Sequence, residues 1–189
     1  MGLYKYLSAL YQKKPESLKV LDHARQIDWR REEAVKRIDH PTNAARAHTL
    51  GYRAKQGFVM ARVRLVRGGK QRPSIRHGRR SKHFGQRFVM GRNYRWIAEQ
   101  RANKAFPNLE VLNSYMIAKD GVSAWYEVIL VDPQSPSVKA DPHTKWIASP
   151  KQTGRVYRGL TSAAKQSRGL RHTGKGSEKM RPSVRAQGR

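Results

Sequence analysis

The chain of 189 residues carries 40 Lys and Arg against 13 Asp and Glu, a formal net charge of +27, and it has no cysteine. A compact monomer so charged repels itself, which calls for a polyanionic partner, nucleic acid first and an anionic membrane surface second. Without thiols there is no disulfide framework and no thiolate metal site, and the longest apolar run, Val128-Ile-Leu-Val131, is far too short to cross a bilayer.

At the start of the chain Leu3, Leu7 and Leu10, with Tyr6 alongside, recur at helical spacing and predict a short amphipathic helix ending before Pro15. Lys5, Lys13 and Lys14 interrupt any signal-peptide stretch, and the expected location is the cytoplasm. A second helix is predicted over about 16–38, with Leu18, Leu21, Ile27, Val35 and Ile38 on its apolar side and His40-Pro41 at its end. Thr42 is the expected cap of a brief helix over 43–50, closed by Gly51. Residues 57–67 alternate, with Val59, Ala61, Val63 and Leu65 on one face and Arg62 and Arg64 on the other. That pattern predicts a half-buried strand whose open face carries cations. Residues 68–91, rich in Gly, Lys and Arg and without periodicity, read as a long extended loop of the kind a partner orders.

Residues 93–105 read as a helix capped by Asn93, with Ile97, Arg101 and Ala105 spaced by four. Two strand-like runs, 109–119 and 122–132, flank Asp120-Gly121, the dipeptide of a two-residue hairpin turn. Folding on that turn pairs Val111 with Leu130, Tyr115 with Tyr126, Ile117 with Ala124, Leu112 with Ile129 and Met116 with Trp125. Both faces of this hairpin are apolar, so it belongs inside a layered structure. Beyond Asp132-Pro133 the sequence loosens, with one or two helical turns at 161–167. The expected fold class is α+β, a small mixed or antiparallel sheet with helices packed on it. The expected organisation is one body over 1–141, with an internal basic loop at about 68–91, and a basic extended tail over 142–189.

Charge is unevenly spread. Residues 40–98 and 142–177 contain no acid, whereas 99–141 contains six. An ordinary solvated face mixes signs, so these stretches read as polycationic surface for RNA. The candidate RNA contacts in the first stretch are Arg53, Lys55, Arg62, Arg64, Arg67, Lys70, Arg72, Arg76, Arg79, Arg80, Lys82, Arg87 and Arg92. In the second they are Arg158, Arg168 and Arg171. Aromatics interleave with them at Tyr52-Arg53, around Arg87, at Tyr94-Arg95-Trp96 and at Tyr157-Arg158. Trp96 reads as core, while Phe84 and Tyr157 stay open between stacking on RNA and packing on protein. No catalytic constellation is visible. Residues 169–175 approach a phosphate-binding loop but Gly176 replaces its Ser or Thr, the seven histidines lack ligand spacing, and Asp141 and His143 lack a nucleophile. No enzyme activity, metal, cofactor or small-molecule substrate is expected.

Three stretches carry a family resemblance. They are Leu50-Gly-Tyr-Arg-Ala-Lys-Gln-Gly-Phe-Val59 running on to Arg67-Gly-Gly-Lys-Gln-Arg-Pro73, Val111-Leu-Asn-Ser-Tyr115 with Tyr126-Glu-Val-Ile-Leu-Val-Asp-Pro133, and Arg158-Gly-Leu-Thr-Ser-Ala163 with Ser167-Arg-Gly-Leu170. With the Met-Gly-Leu-Tyr-Lys-Tyr start, they resemble the archaeal and eukaryotic ribosomal protein fifteen of the "e" type over nearly the whole chain. The resemblance implies a large-subunit structural protein, with large-subunit ribosomal RNA (rRNA) and neighbouring ribosomal proteins as partners, and the shorter tail suggests the archaeal type. It also implies Arg53, Lys55, Arg67, Lys70, Arg72, Arg158 and Arg168 as leading RNA contacts. A DNA-compacting protein would share the charge, but no helix-turn-helix, heptad or zinc signature is present. An RNA-modifying enzyme would share the affinity, but should show a cofactor loop or paired acid and base groups.

Overall fold

The structure is a computed structural model and describes residues 2–71, 74, 76–78, 87, 88 and 90–171. The chain runs α1 (Leu3–Lys13), α2 (Glu16–Arg31), β1 (Val35–Ile38), α3 (Ala44–Thr49), β2 (Phe58–Val66), β3 (Lys70–Gln71), β4 (Arg87–Phe88), α4 (Tyr94–Ala105), β5 (Glu110–Lys119), β6 (Ser123–Val131), α5 (Pro136–Ala140) and α6 (Ser162–Ser167). Two 3-10 turns, Lys145–Ala148 and Pro150–Gln152, lie between α5 and α6. The main sheet is antiparallel in the order β1-β2-β6-β5, so the fold is α+β as its sequence pattern predicts.

Strand β6 is the centre of the molecule. All nine of its residues are buried, because helices cover both faces of the sheet and strands flank both of its edges. On one face Ala124, Tyr126, Val128 and Leu130 pack with Ala61, Val63 and Leu65 of β2, with Trp96, Ala98 and Ala102 of α4, and with Val156, Ala163 and Ala164. On the other, Ile129 packs with Met60, Tyr115 and Ala47 of α3, and Trp125 meets Trp29 of α2 with ring centroids 6.2 Å apart. Each fully buried large side chain contributes about 1.5–3 kcal/mol relative to exposure, so packing on both faces holds the sheet.

Several expectations need correction. The second helix stops at Arg31, and Val35 and Ile38 lie in β1, paired with Val63 and Met60 of β2. Their β-branched side chains complete the sheet edge, which overrides the weak helical continuation across Glu32-Glu33-Ala34. The side of α2 turned to the body carries Leu18, Asp22, Arg25 and Trp29, while Leu21 and Ile27 are exposed. Asn43, not Thr42, caps α3, accepting from Arg46 N at 2.9 Å. In α4 the buried face is Trp96, Glu99, Ala102 and Asn103 rather than the Ile97, Arg101, Ala105 stripe.

The β5–β6 hairpin forms, with a different tip and register. Val111 faces Leu130 as expected, but Tyr115 faces Glu127, Met116 faces Tyr126 and Ala124 faces Lys119. The connection is longer than two residues: Asp120 N donates to Ser123 O at 2.9 Å, and the Asp120 carboxylate accepts from Val122 N at 2.8 Å. That local side-chain turn outcompetes the tight turn. Two bulges in β5, between Val111 and Asn113 and between Met116 and Ala118, absorb the offset.

Within 68–91, the stretch read as an extended loop, β3 and β4 pair as a short antiparallel ribbon, Lys70 opposite Phe88 and Gln71 opposite Arg87. Residues 142–171 lie in the stretch read as an extended tail. They fold onto the body, burying Ile147, Val156, Ala163 and Ala164.

Candidate nucleic-acid interface

The two acid-free stretches, separated in sequence by the acidic 99–141 segment, meet at the start of α4. Asn93 caps α4 by accepting from Trp96 N at 2.8 Å, and its Nδ2 donates to the carbonyl of Ala163 in α6 at 3.0 Å. Asn93 N donates to Ser167 Oγ at 3.0 Å, and that hydroxyl donates to Gly91 O at 2.8 Å. Next to it, the Tyr94 hydroxyl accepts from Gly68 N at 2.7 Å and donates to Gly68 O at 2.8 Å. Both ends of the 68–91 stretch and helix α6 are therefore held at one place.

Two buried glutamates make further ties, one beneath this junction and one on the other face of the sheet. Glu99 accepts from Ser114 Oγ and from Thr161 Oγ1, each at 2.5 Å, and Thr161 caps α6. Burial pushes the Glu99 carboxyl up, against the pull of those hydroxyls and of Arg95 and Arg155. On the other face Glu127 accepts from Thr42 N at 3.1 Å, from Thr42 Oγ1 at 2.5 Å and from the Tyr115 hydroxyl, which ties the segment entering α3 to β6. Burial pushes Glu127 up as well, and together with the Glu127 charge it raises Tyr115, which stays a donor.

Several predicted RNA contacts are fixed by neutral oxygens, which set a guanidinium's position without cancelling its charge. Arg53 donates to Tyr52 O at 3.0 Å, Arg92 to Gln100 Oε1 at 3.0 Å, and Arg158 to Thr153 O at 2.8 Å and Lys151 O at 2.5 Å. Arg64 donates to Arg30 O, Arg67 to Asp120 O, and Arg171 to Ser162 Oγ. Arg168 donates to Gly159 O at 3.1 Å. Gly159 has φ +72°, and a Cβ there would lie 2.8 Å from Arg168 Cδ, so only glycine lets the arginine lie against this turn.

Lys55 and Arg62 have carboxylate partners. Lys55 Nζ lies 2.6 Å from Asp141 Oδ2. Arg62 lies 2.5 Å from Glu32 Oε2 and 4.6 Å over the Trp29 ring, with only 11% of its side chain exposed, so α2 covers the β2 face expected to be open. Arg76 is exposed, Lys70 and Arg87 sit in β3 and β4, and Arg72, Arg79, Arg80 and Lys82 lie outside the described residues, as do Phe84 and residues 172–175 of the near phosphate-loop. Trp96 is core, its Nε1 donating to Val156 O at 2.7 Å. Tyr157 is exposed.

Two arginines outside the candidate list of RNA contacts, Arg95 and Arg155, are held in the body. Arg95 donates to Ser114 Oγ at 2.9 Å and Asn113 Oδ1 at 2.5 Å. Burial disfavours its charged form, as do the neighbouring Arg46 and Arg171, while Glu99 supports it. Arg155 is buried, donates to the carbonyls of Val111 and Leu112 of β5, and lies 4.9 Å over the Trp146 ring. Nothing in its local sequence separates it from the solvated arginines around it. Arg95, one residue from Tyr94 in α4, thus adds a cation to the place where the two acid-free stretches meet.

Asp141 is occupied by Lys55 and by the turn it makes, accepting from His143 N at 2.9 Å. Among the described residues no group of His, Cys, Asp or Glu is placed to hold a metal ion, and no helix is long and apolar enough to cross a membrane. A sequence model of the family described as Ribosomal L15 matches residues 2–187.

Proposed function

The chain belongs to the Ribosomal L15 family, structural constituents of the large ribosomal subunit in translation, and on that premise we propose that it stabilises folded large-subunit rRNA by neutralising phosphates. The observation that carries this reading is the junction at Asn93, whose hydrogen bonds to Ser167 Oγ and Ala163 O join the two acid-free stretches. Converging RNA helices bring phosphates together, and fixed Lys and Arg replace the diffuse counterions released there. Guanidinium groups already held by carbonyls lose little conformational freedom on binding, so more of each phosphate contact appears as affinity. Recognition is of shape and backbone, since A-form grooves are read chiefly through phosphate and 2′-hydroxyl.

The body sets the position, and the 68–91 segment and the C-terminal residues thread between RNA helices. That part of the proposal reaches Arg72, Arg79, Arg80 and Lys82, outside the described residues. The working site is the ribosome in the cytoplasm, next to other large-subunit proteins, without catalysis. Co-sedimentation with large subunits over a range of salt tests the reading. Retention at low salt, with release as salt rises or when rRNA is digested, is expected; retention indifferent to both salt and rRNA digestion overturns it.

A further inference from the structure

Tyr157 sits at the end of a turn that lays the C-terminal segment on α4, and it is 52% exposed. Its backbone N–H donates to Gly154 O at 3.0 Å, and a Cβ at Gly154 would lie 3.9 Å from Tyr157 Cδ2. Its hydroxyl reaches Gln100 O of α4 at 3.5 Å. The preceding residue is fixed too, with Val156 O accepting from Trp96 Nε1 at 2.7 Å. A single exposed tyrosine needs no explanation by itself. This one shares its supports with two arginines.

Arg92 donates to Gln100 Oε1 at 3.0 Å and lies 5.2 Å over the Trp96 ring. Arg92 of the first acid-free stretch and Tyr157 of the second are thus tied together twice, through Gln100 and through Trp96. Next in the chain, Arg158 is held by the carbonyls of Lys151 and Thr153. These acceptors are neutral, so both guanidinium groups keep their charge. Lys104, one turn beyond Gln100 on α4, is exposed. The acids of the neighbouring elements are turned inward: Glu99 of α4 and Glu110 of β5 are buried, and Glu110 accepts from Gly154 N at 2.8 Å.

The exposed charge around Tyr157 therefore has one sign, which selects a polyanion. The open aromatic ring adds a second requirement, a flat π surface. An unpaired nucleotide meets both, with a base that stacks on the ring and phosphates on either side for the guanidinium groups. In a double helix the bases cover one another and offer no open face.

We propose that Tyr157 is a stacking platform for an unpaired base of RNA, whose flanking phosphates are taken by Arg92 and Arg158. This rests on the rRNA reading and deepens it, adding one place where a base is engaged as well as the backbone.

Affinity for isolated large-subunit rRNA is the first arm of the test. Tyr157→Phe keeps the ring and should bind as the unaltered chain does. Tyr157→Leu keeps apolar bulk without the π face and should bind about fivefold or more weakly. Stacking releases no counterions, so for Tyr157→Leu the plot of log K against log salt should run parallel to that of the unaltered chain. Arg92→Ala should instead make the slope shallower by about 0.7–0.9. Undiminished binding by Tyr157→Leu, or an equal loss in Tyr157→Phe, overturns the proposal. The second arm carries p-benzoylphenylalanine at position 157 of the full chain into large subunits. Irradiation should join it to rRNA at an unpaired nucleotide; adducts within a paired helix, on a neighbouring protein or nowhere overturn the proposal. If the unaltered chain does not bind isolated rRNA, the rRNA reading fails instead, and the adducts still report what lies on Tyr157.

Discussion

Asn93 and Ala163 are joined across 70 positions of sequence by a 3.0 Å hydrogen bond, made by the same side chain that caps α4. One residue thus starts a helix and docks the second cationic stretch on the first. Asn93→Ala removes both interactions, and the loss of stability should be about 1–3 kcal/mol by urea unfolding. Asn93→Asp keeps the capping oxygen but cannot donate to Ala163. It should recover most of the stability while trypsin cuts faster at Lys165. Equal losses for both variants would mean that only the cap matters.

The buried carboxyls give stability a pH dependence of definite sign. Glu99 and Glu127 are held above their ordinary value of 4.5 by burial. Each binds more protons folded than unfolded in the interval above 4.5, so stability falls as pH rises through that interval towards the raised value. Asp141 is held low, first by the Lys55 hydrogen bond and then by His143 N. It contributes stability that is present above its unfolded value and lost as pH falls through its lowered one. Unfolding followed from about pH 4 to about pH 8 should show Glu127→Gln with a shallower decline than the parent on the alkaline side. Glu127→Gln should also start lower, because an amide N–H would face the Thr42 and Tyr115 donors. A parallel decline in both proteins would assign the slope to other groups.

Periodicity made the elements legible and left their partners hidden. Val59, Ala61, Val63 and Leu65 announced β2, and the apolar runs around residues 120 and 121 announced the hairpin, because a strand's side-chain period is a local property. The register at Tyr115 was not legible, since it depends on how the Asp120 carboxylate closes the turn. Arg62 looked like a free cation on an open face because nothing local shows that Trp29 and Glu32 come back to cover it. The acid-free stretches were plain in the sequence, but their meeting at Asn93 is a tertiary fact carried by single hydrogen bonds.

Arg155 holds the C-terminal segment to the edge strand. Its guanidinium is buried against the carbonyls of Val111 and Leu112 and over Trp146. Arg155→Ala leaves those carbonyls without this donor and opens a void beneath the indole, a loss of about 2–4 kcal/mol. Arg155→Met restores volume but no donor, and should recover less than half of it. Calorimetric or urea unfolding of both variants decides between packing and hydrogen bonding: full recovery in Arg155→Met would show that packing alone matters.

Affinity for rRNA should depend steeply on salt, and the slope should report which arginines touch phosphate. If about ten phosphates are neutralised, log K falls against log salt with a slope of about −7 to −9. Arg158 and Arg171 are fixed by neutral oxygens within the second acid-free stretch. Replacing either with Ala should weaken binding and make the slope shallower by about 0.7–0.9. Arg62 is the internal contrast: it is spent on Glu32 and Trp29. Arg62→Ala should cost about 2 kcal/mol or more of folding stability, because the Glu32 carboxylate stays partly buried without it, while the salt slope is unchanged. Fluorescence titration of a large-subunit rRNA fragment between about 0.1 and 0.5 M salt measures all three variants. A total slope shallower than about −3 would mean that few of these cations reach phosphate. A change of slope in Arg62→Ala would move the RNA surface onto the α2 side of the sheet.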